Sequence, residues 1–432
     1  MDWGDVSLGL YRGLSPALAR ASAVSARFSA KWRRGLEGRR GLDDRLREQS
    51  PRLRGCLWFH ASSVGEYEQA RPVLAALRAR GVGPLAVTHY SSSGYDFAQT
   101  HPEADVHEYL PLDTPAAMAR LVDAWRPRLL AFAKYDCWPN QVRAARRAGV
   151  PVVLIAGSLP PGSPRLWPLA RPALRRLHDG FARLGVGHEA DRRRFVETLG
   201  VRAPVVVTGD TRAEQVLRRF EASREGPVAA ALRAWGGRPL VLGSTWPPDE
   251  RLWWRALPEL LSAHPDLKIV AVPHEPTDAH LAPIAQALDG LGLAPVRLSA
   301  FRGAGDPARA VVVDRVGVLA EIYAAGALAY VGGAFTTGVH STLEPAAAGL
   351  PVLFGPRIHN AEEAHALIDA DAGRVVRTPE EARAAAHAWL HDDAARAHAA
   401  AAARAVVDAQ RGATERTVAM ILEVLAEGAQ AR

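Results

Sequence analysis

Apolar residues gather along this chain in short continuous runs, and between the runs they recur at three- and four-residue steps. In the first half the runs at 56–61, 85–89, 106–111, 129–133, 152–156, 181–186 and 205–208 predict buried strands. The segments between them carry helical spacing or turn residues, and this alternation predicts a parallel, doubly wound sheet of the α/β class. The clearest helix starts at Glu66, with Val73, Leu74 and Leu77 toward the core and Gly81 as its stop. The second half repeats the logic. Strands are expected at 240–243, 269–272, 296–298, 311–313, 328–331 and 352–354, and helices near 249–263, 277–288, 317–325, 342–348 and 362–370. Residues 211–238 are polar, contain Gly226-Pro227 and Gly236-Gly237, and predict a linker. Two similar α/β domains in tandem imply a cleft between them, with ligands at the carboxyl ends of the strands. From residue 379 onward the chain is rich in Ala and Arg and reads as long helices that cross back onto the first domain.

The N-terminus carries a different pattern. Trp3, Val6, Leu10, Leu14, Ala17, Ala21, Val24, Phe28 and Trp32 recur at helical steps, with Arg12, Arg20, Arg27, Lys31, Arg33 and Arg34 between them and no acid from 6 to 36. This basic amphipathic segment, bent at Pro16, has two readings. It is a helix packed on its own domain with its arginines in water, or an interfacial helix lying on anionic lipid. No run is long and apolar enough to predict a spanning helix, and no continuous apolar core of a signal peptide is seen.

Composition narrows the classes. The chain has 432 residues, enough for two domains, and its 48% hydrophobic and 23% charged residues are ordinary for a globular protein. A net charge of +7 favours an anionic partner: nucleic acid, an acidic membrane surface or a phosphorylated substrate. The two cysteines, Cys56 and Cys137, give no disulfide framework, which makes a reducing compartment the default. Histidines are scattered and no metal-ligand spacing occurs, so no metal and no organic cofactor is expected.

Three stretches carry candidate chemistry. Gly65-Glu66 opens a helix directly after a strand, so Glu66 is either a first-turn charge or a base at a strand's carboxyl end. Gly243-Ser244-Thr245 ends a strand before a helix; its backbone and hydroxyls suit a phosphate, or simple capping. The stretch 332–356 is strand, glycine-rich loop, helix opening with an acid, and strand. Ser341 and Thr342 lie at that helix's N-terminus, and Glu344 in its first turn can accept both hydroxyls of a ribose or merely complement the helix dipole.

With these residues in view, "WFHASSVGEYEQARPVL", "YLPLDTP", "FAKYDCWPN", "VTGDTR", "LGST", "VPHEP" and "GVHSTLEPAAAGLPVLFGP" occur in the order found in 3-deoxy-D-manno-octulosonic acid (Kdo) transferases. The chain resembles that family from about residue 58 to about 368. The resemblance implies a GT-B fold, two Rossmann-like domains facing each other across a cleft. It divides the chain into a membrane-associating segment (1–40), an acceptor domain (41–215), a donor domain (216–405) and a returning C-terminal helix (406–432). It implies an inverting transfer of Kdo from CMP-Kdo to the lipid A precursor of lipopolysaccharide at the cytoplasmic face of the inner membrane, and the basic N-terminal segment adds the expectation that the association is peripheral.

By the same resemblance Glu66 matches the general base and Arg212 a cation near the leaving phosphate. Lys134 stands where many members carry a glutamate, and Asp136, two residues on, can keep a carboxylate nearby if both continue the strand. Ser244, Thr245, Pro273, His274, Val316, Gly317, Val318, Gly338, His340, Ser341, Thr342, Leu343 and Glu344 fall on nucleotide-binding segments. His274 replaces the usual arginine there and Ser341 the usual asparagine. The basic N-terminal segment stands where many members have a hydrophobic anchor. The alternative is another GT-B enzyme acting on a UDP sugar, as transferase or 2-epimerase. A nucleic-acid-binding protein is the distant alternative, because the basic residues are spread over helices and not interleaved with aromatics.

Overall fold

The computed structural model describes residues 3–25, 29–160, 162–359 and 361–430. Arg27 and Phe28 of the N-terminal segment lie outside them, as do the side chains of Val24 and Lys31. The chain divides into two compact units, Met1–Arg212 with Arg411–Arg432, and Ala213–Gln410.

The first unit is built on β1 (Leu57–His60), β2 (Leu85–His89), β3 (Val106–Tyr109), β4 (Leu129–Ala133), β5 (Val152–Gly157), β6 (Arg183–Val186) and β7 (Val205–Val207). They form one all-parallel sheet in the order β3-β2-β1-β4-β5-β6-β7. The central strands β1, β2, β4 and β5 are buried at every position, as expected for a sheet covered on both faces. One face packs Trp58, Trp125, Leu130 and Phe132, and the other packs Tyr67, Val73, Leu77 and Ile421. The last helix, Ala413–Gln430, covers this second face beside the helix Val64–Ala79.

The second unit carries β8 (Arg238–Thr245), β9 (Leu267–Pro273), β10 (Val296–Arg297), β11 (Ala310–Val312), β12 (Leu328–Val331), β13 (Val352–Phe354) and β14 (Gly373–Val375). Its parallel order is β10-β11-β9-β8-β12-β13-β14. In each sheet the strand order reverses beside the first strand, between β1 and β4 and between β8 and β12. Connections leave to opposite sides there, which opens a crevice at the strands' carboxyl ends.

Two sequence expectations are corrected. The stretch 211–238 is not a linker: it forms the helices Thr211–Ser223 and Pro227–Trp235 before β8 begins. Its polar look hides a buried stripe, Ala213, Val216, Leu217 and Phe220, at helical spacing. Pro227 opens the second helix and Gly236, at φ 72°, closes it. Strand β14 was not anticipated, because it is three residues long at the sheet edge and carries the exposed Arg374.

The helix Trp3–Ser25 contains Pro16 and packs on the helix Arg171–His178. Gly4 lies against Pro172, where a Cβ would meet the backbone. Tyr11 Oη donates to Asp113 Oδ2 (3.0 Å), and Asn140 Nδ2 donates to Ser15 Oγ (3.1 Å). One face of the segment is therefore bound into the first unit. Trp3, Leu10, Leu14 and Leu18 remain more than half exposed on the rest of it. Among the described residues no helix is long and apolar enough to cross a membrane.

Candidate active site

Strand β1 ends at His60, and Ser63 caps the following helix by accepting from Glu66 N. Glu66 thus sits in the first turn, at the sheet's reversal point. It is 2% exposed, and Ser62 N donates to its Oε2 at 2.5 Å. Burial, then the negative charge of Asp136, pushes its carboxyl up to about 8, against the opposing pull of the Ser62 amide and the Lys134 ammonium. A hydrogen bond between the Glu66 and Asp136 carboxyls adds to the rise, which favours the protonated form of Glu66 at neutral pH.

Lys134 and Asp136 do not continue the strand as expected. Strand β4 stops at Ala133; Lys134 N still donates to Ile155 O (2.9 Å), and then Lys134 turns left-handed at φ 69°. The two charges reach Glu66 through this turn and not through strand alternation. Asp136 is held by Arg165 Nη2 (2.9 Å), whose guanidinium lies 4.6 Å over the Tyr135 ring. A single non-glycine residue in the left-handed region costs on the order of 1 kcal/mol and gathers at functional sites.

Behind Glu66 lies a buried support. His60 Nε2 accepts from Trp138 Nε1 (3.1 Å) and lies 3.0 Å from Ser62 Oγ, which places the ring proton on Nδ1 against Thr88 Oγ1. Burial pulls His60 down to about 3, so it stays neutral. One turn along the helix, Gln69 Oε1 accepts from Thr211 Oγ1 (2.9 Å) and Arg212 N (3.1 Å). The Arg212 backbone is thereby anchored to the helix that bears Glu66. Sequence reading missed Ser62, Gln69, Arg165 and Thr211. "SSVGE" and "GDTR" signalled two of them, while Gln69 and Arg165 depend on long-range contacts.

In the second unit a cavity of about 440 Å³ opens at the other reversal point. Ser244, Gly317, His340, Ser341 and Glu344 line it, joined by Val216, Arg219 and Phe220 from the helix taken for a linker. Ser244 adopts φ 52° at the end of β8. The Ser341 and Thr342 hydroxyls are buried without a hydrogen-bond partner. Buried hydroxyls left unpaired beside a cavity are what an oxygen-rich ligand satisfies. Asp249 ties the two loops together: Oδ2 accepts from Trp246 N (2.9 Å) and Gly333 N (3.0 Å), and Oδ1 from Tyr330 Oη (2.6 Å).

The remaining expected residues fall around this cavity and not in it. Thr245 Oγ1 is buried and donates to Glu250 Oε1 (3.1 Å). His274, beyond Pro273, stacks on His340 (4.3 Å, interplanar 8°), and Trp246 Nε1 donates to His340 Nε2 (3.1 Å). Leu343 is buried in the core. Val316 is exposed, and Val318 caps a helix that starts only at Leu319, because Gly317 at φ 85° breaks the expected start. Gly338, at φ 146°, donates its N–H back to Gly333 O (3.2 Å). Among the described residues no group of three or more His, Cys, Asp or Glu side chains is placed to hold a metal.

Residues 24–215 match the family model described as 3-Deoxy-D-manno-octulosonic-acid transferase (kdotransferase). A 3-deoxy-D-manno-octulosonic acid transferase of Bordetella pertussis is 32% identical over 379 residues, covering 84% of this chain and 86% of the relative. That extent and identity decide the family. The chain belongs to the 3-deoxy-D-manno-octulosonic acid transferases. It is a glycosyltransferase. A probable mitochondrial member from Arabidopsis thaliana is 28% identical, over 80% of this chain and 79% of its own. Among solved structures, the chain resembles a UDP-GlcNAc 2-epimerase from Neisseria meningitidis (TM-score 0.59, 12% identity, 86% of this chain and 99% of that one). It also resembles MurG of Acinetobacter baumannii (TM-score 0.56, 16% identity, 85% and 99%). At such identities these two likenesses speak for the fold, a two-domain α/β fold of the GT-B class.

Proposed function

We propose that the chain transfers Kdo from CMP-Kdo to the lipid A precursor of lipopolysaccharide, with inversion at the anomeric carbon. Family membership supports the sugar. The single observation that carries the chemistry is the buried Glu66 carboxyl, raised to about 8 at the reversal point of the first sheet. A base whose pKa lies near the working pH transfers protons most effectively. The acceptor hydroxyl gives its proton to Glu66 as its oxygen bonds to the anomeric carbon. The bond from that carbon to the CMP phosphate breaks on the opposite face, and its electron pair leaves with the phosphate. Lys134 favours the ionised form of Glu66, and Asp136 tunes it upward.

On the donor side, Ser244, Ser341 and the loop amides are suited to the phosphate, and Glu344 to the ribose hydroxyls. Arg212 opposes the charge that grows on the leaving phosphate. No metal or cofactor is assigned a step. The exposed apolar side chains of the N-terminal helix, on a basic segment that carries no acid from 6 to 36, support peripheral association with the anionic inner-membrane surface. The test is incubation with CMP-Kdo and lipid A precursor, followed by mass spectrometry of the lipid. A Kdo-sized mass increment is expected. No increment, or turnover of a UDP sugar instead, overturns the reading.

A further inference from the structure

A second cavity, of about 420 Å³, lies in the first unit beside the N-terminal helix, away from Glu66 in the sequence and built from other side chains. It is bounded by that helix and by the helices Pro139–Arg147 and Arg171–His178. Arg12, Arg143, Arg146, Arg147 and Arg176 line it, against one acid, Asp5. Arg176 takes that acid, Nε to Oδ1 at 2.6 Å. Among the described residues no carboxylate pairs with the other four. Arg12, Arg143 and Arg147 also line an adjoining cavity of about 200 Å³, with Asp123 as its one acid. We propose that this arginine cavity binds the phosphate of an anionic lipid headgroup.

Three observations lead there. Five guanidinium groups against one lining acid raise the free energy of the empty site, and an anion relieves it. Burial, then the charges of Arg12 and Arg147, holds the Arg143 guanidinium below its ordinary value, so the crowding is felt. The guanidinium fork matches phosphate oxygens in pairs, which makes phosphate the best-fitting anion.

The cavity wall is also prebuilt. Asp113 accepts from Tyr11 Oη, Asn140 N and Gln141 N, and Asn140 Nδ2 donates to Ser15 Oγ and Asp113 O. This network fixes the helix that bears Arg12 against the helix that bears Arg143, Arg146 and Arg147.

The source of the phosphate follows from the neighbouring surface. The helix that supplies Arg12 exposes Trp3, Leu10, Leu14 and Leu18, and the loop before Arg171 exposes Trp167 and Leu169. Apolar side chains in water next to a cationic cavity are the composition of a membrane-interface surface. Among the described residues no aromatic ring lines the cavity to stack a base, which disfavours nucleic acid. The inference rests on the peripheral-membrane reading above, but not on the transfer chemistry.

The experiment measures partition of the full chain onto phosphatidylcholine vesicles with and without phosphatidic acid or phosphatidylglycerol. Beside it stands the double variant Arg143→Gln, Arg147→Gln, with thermal melting as the folding control. Both arginines are exposed, and neither belongs to the catalytic machinery. The anionic-lipid increment should fall roughly 30-fold in the variant, with melting and phosphatidylcholine binding unchanged. Transfer to detergent-dispersed acceptor should also be unchanged. An undiminished increment overturns the proposal. So does a lost transfer to dispersed acceptor, which makes the cavity an acceptor subsite. Equal thermal protection by inorganic phosphate and by short-chain phosphatidic acid makes it a free-anion site. Tighter binding to a single-stranded RNA oligomer than to vesicles, lost in the variant, reassigns it to nucleic acid. Vesicle binding reads out even if the wild-type chain transfers no Kdo, so the two readings fail separately.

Discussion

At Glu66, one carboxyl feels burial, a neighbouring carboxylate, a backbone amide and a lysine at once. Replacing it by Gln keeps the shape and removes the proton acceptor. Transfer by Glu66→Gln should drop by on the order of 10²–10⁴-fold, while calorimetric CMP binding stays intact, because the cavity proposed for the donor belongs to the other unit. The pH profile gives a sharper test. A base must be ionised, so kcat/KM should rise with pH to a plateau above about 8. Asp136→Asn removes a charge that raises Glu66 and should move the rising limb to lower pH. Lys134→Ala removes a charge that lowers it and should move the limb higher. A limb that both variants leave in place would detach the two residues from the base. The same shift affects stability: a carboxyl raised when folded favours the folded state below its unfolded value near 4.5, and that benefit is lost as pH climbs toward 8.

Among the elements, the two loops at the β8/β12 reversal form a closely packed junction. A Cβ on Gly332 would meet the Ser244 carbonyl, with Thr245 Cα at 2.8 Å and Asp249 Oδ2 at 3.0 Å. Gly332→Ala should therefore lower both the melting temperature of the second unit and its affinity for CMP. Glu344, in the first turn of the helix Leu343–Ala347, is the ribose partner in the proposed function. Its replacement by Ala should weaken CMP binding by the worth of a charge-assisted hydrogen bond, roughly 1.5–3 kcal/mol. An unchanged dissociation constant would leave Glu344 as a helix-dipole partner only. These elements were largely legible in the sequence. Periodicity marked the strands and the Glu66 helix, and of the stretch 332–356 the residues His340, Ser341 and Glu344 line the cavity of the second unit. The helix Thr211–Ser223 was not, because its four buried apolar residues are diluted by Arg, Glu and Gln. With it went Arg219 and Phe220 of the second unit's cavity.

For the whole molecule, the N-terminal helix is both structural and outward-looking. It supplies Tyr11 to Asp113 and Ser15 to Asn140, so deleting it removes one hydrogen bond from each of these two buried groups. Deletion should destabilise that unit while the second, Ala213–Gln410, keeps its transition in a calorimetric scan. Substituting Leu10, Leu14 and Leu18 by Ser should spare folding and weaken vesicle binding, since these side chains are more than half exposed. Loss of folding in that triple variant would mean that the exposed row is packed.

The sequence by itself determined the class of the chain and its two parallel sheets. Alternation of buried runs with amphipathic stretches is a local property, and in-order motifs identify a family without coordinates. Glu66 was legible for the same reason: a glycine and an acid between strand and helix are written in consecutive residues. Only the tertiary structure decided what Glu66 is chemically. Its pKa is raised first by burial and then by Asp136, against the pull of Lys134; both charges stand about seventy residues away and come close because β4 lies beside β1 and Lys134 turns left-handed. The same holds for the arginine cavity. Arg12, Arg143 and Arg176 are scattered in sequence and look like ordinary surface charge, until three helices pack and leave them facing one space. Charge spacing in space, unlike periodicity along a chain, is set by contacts between distant segments.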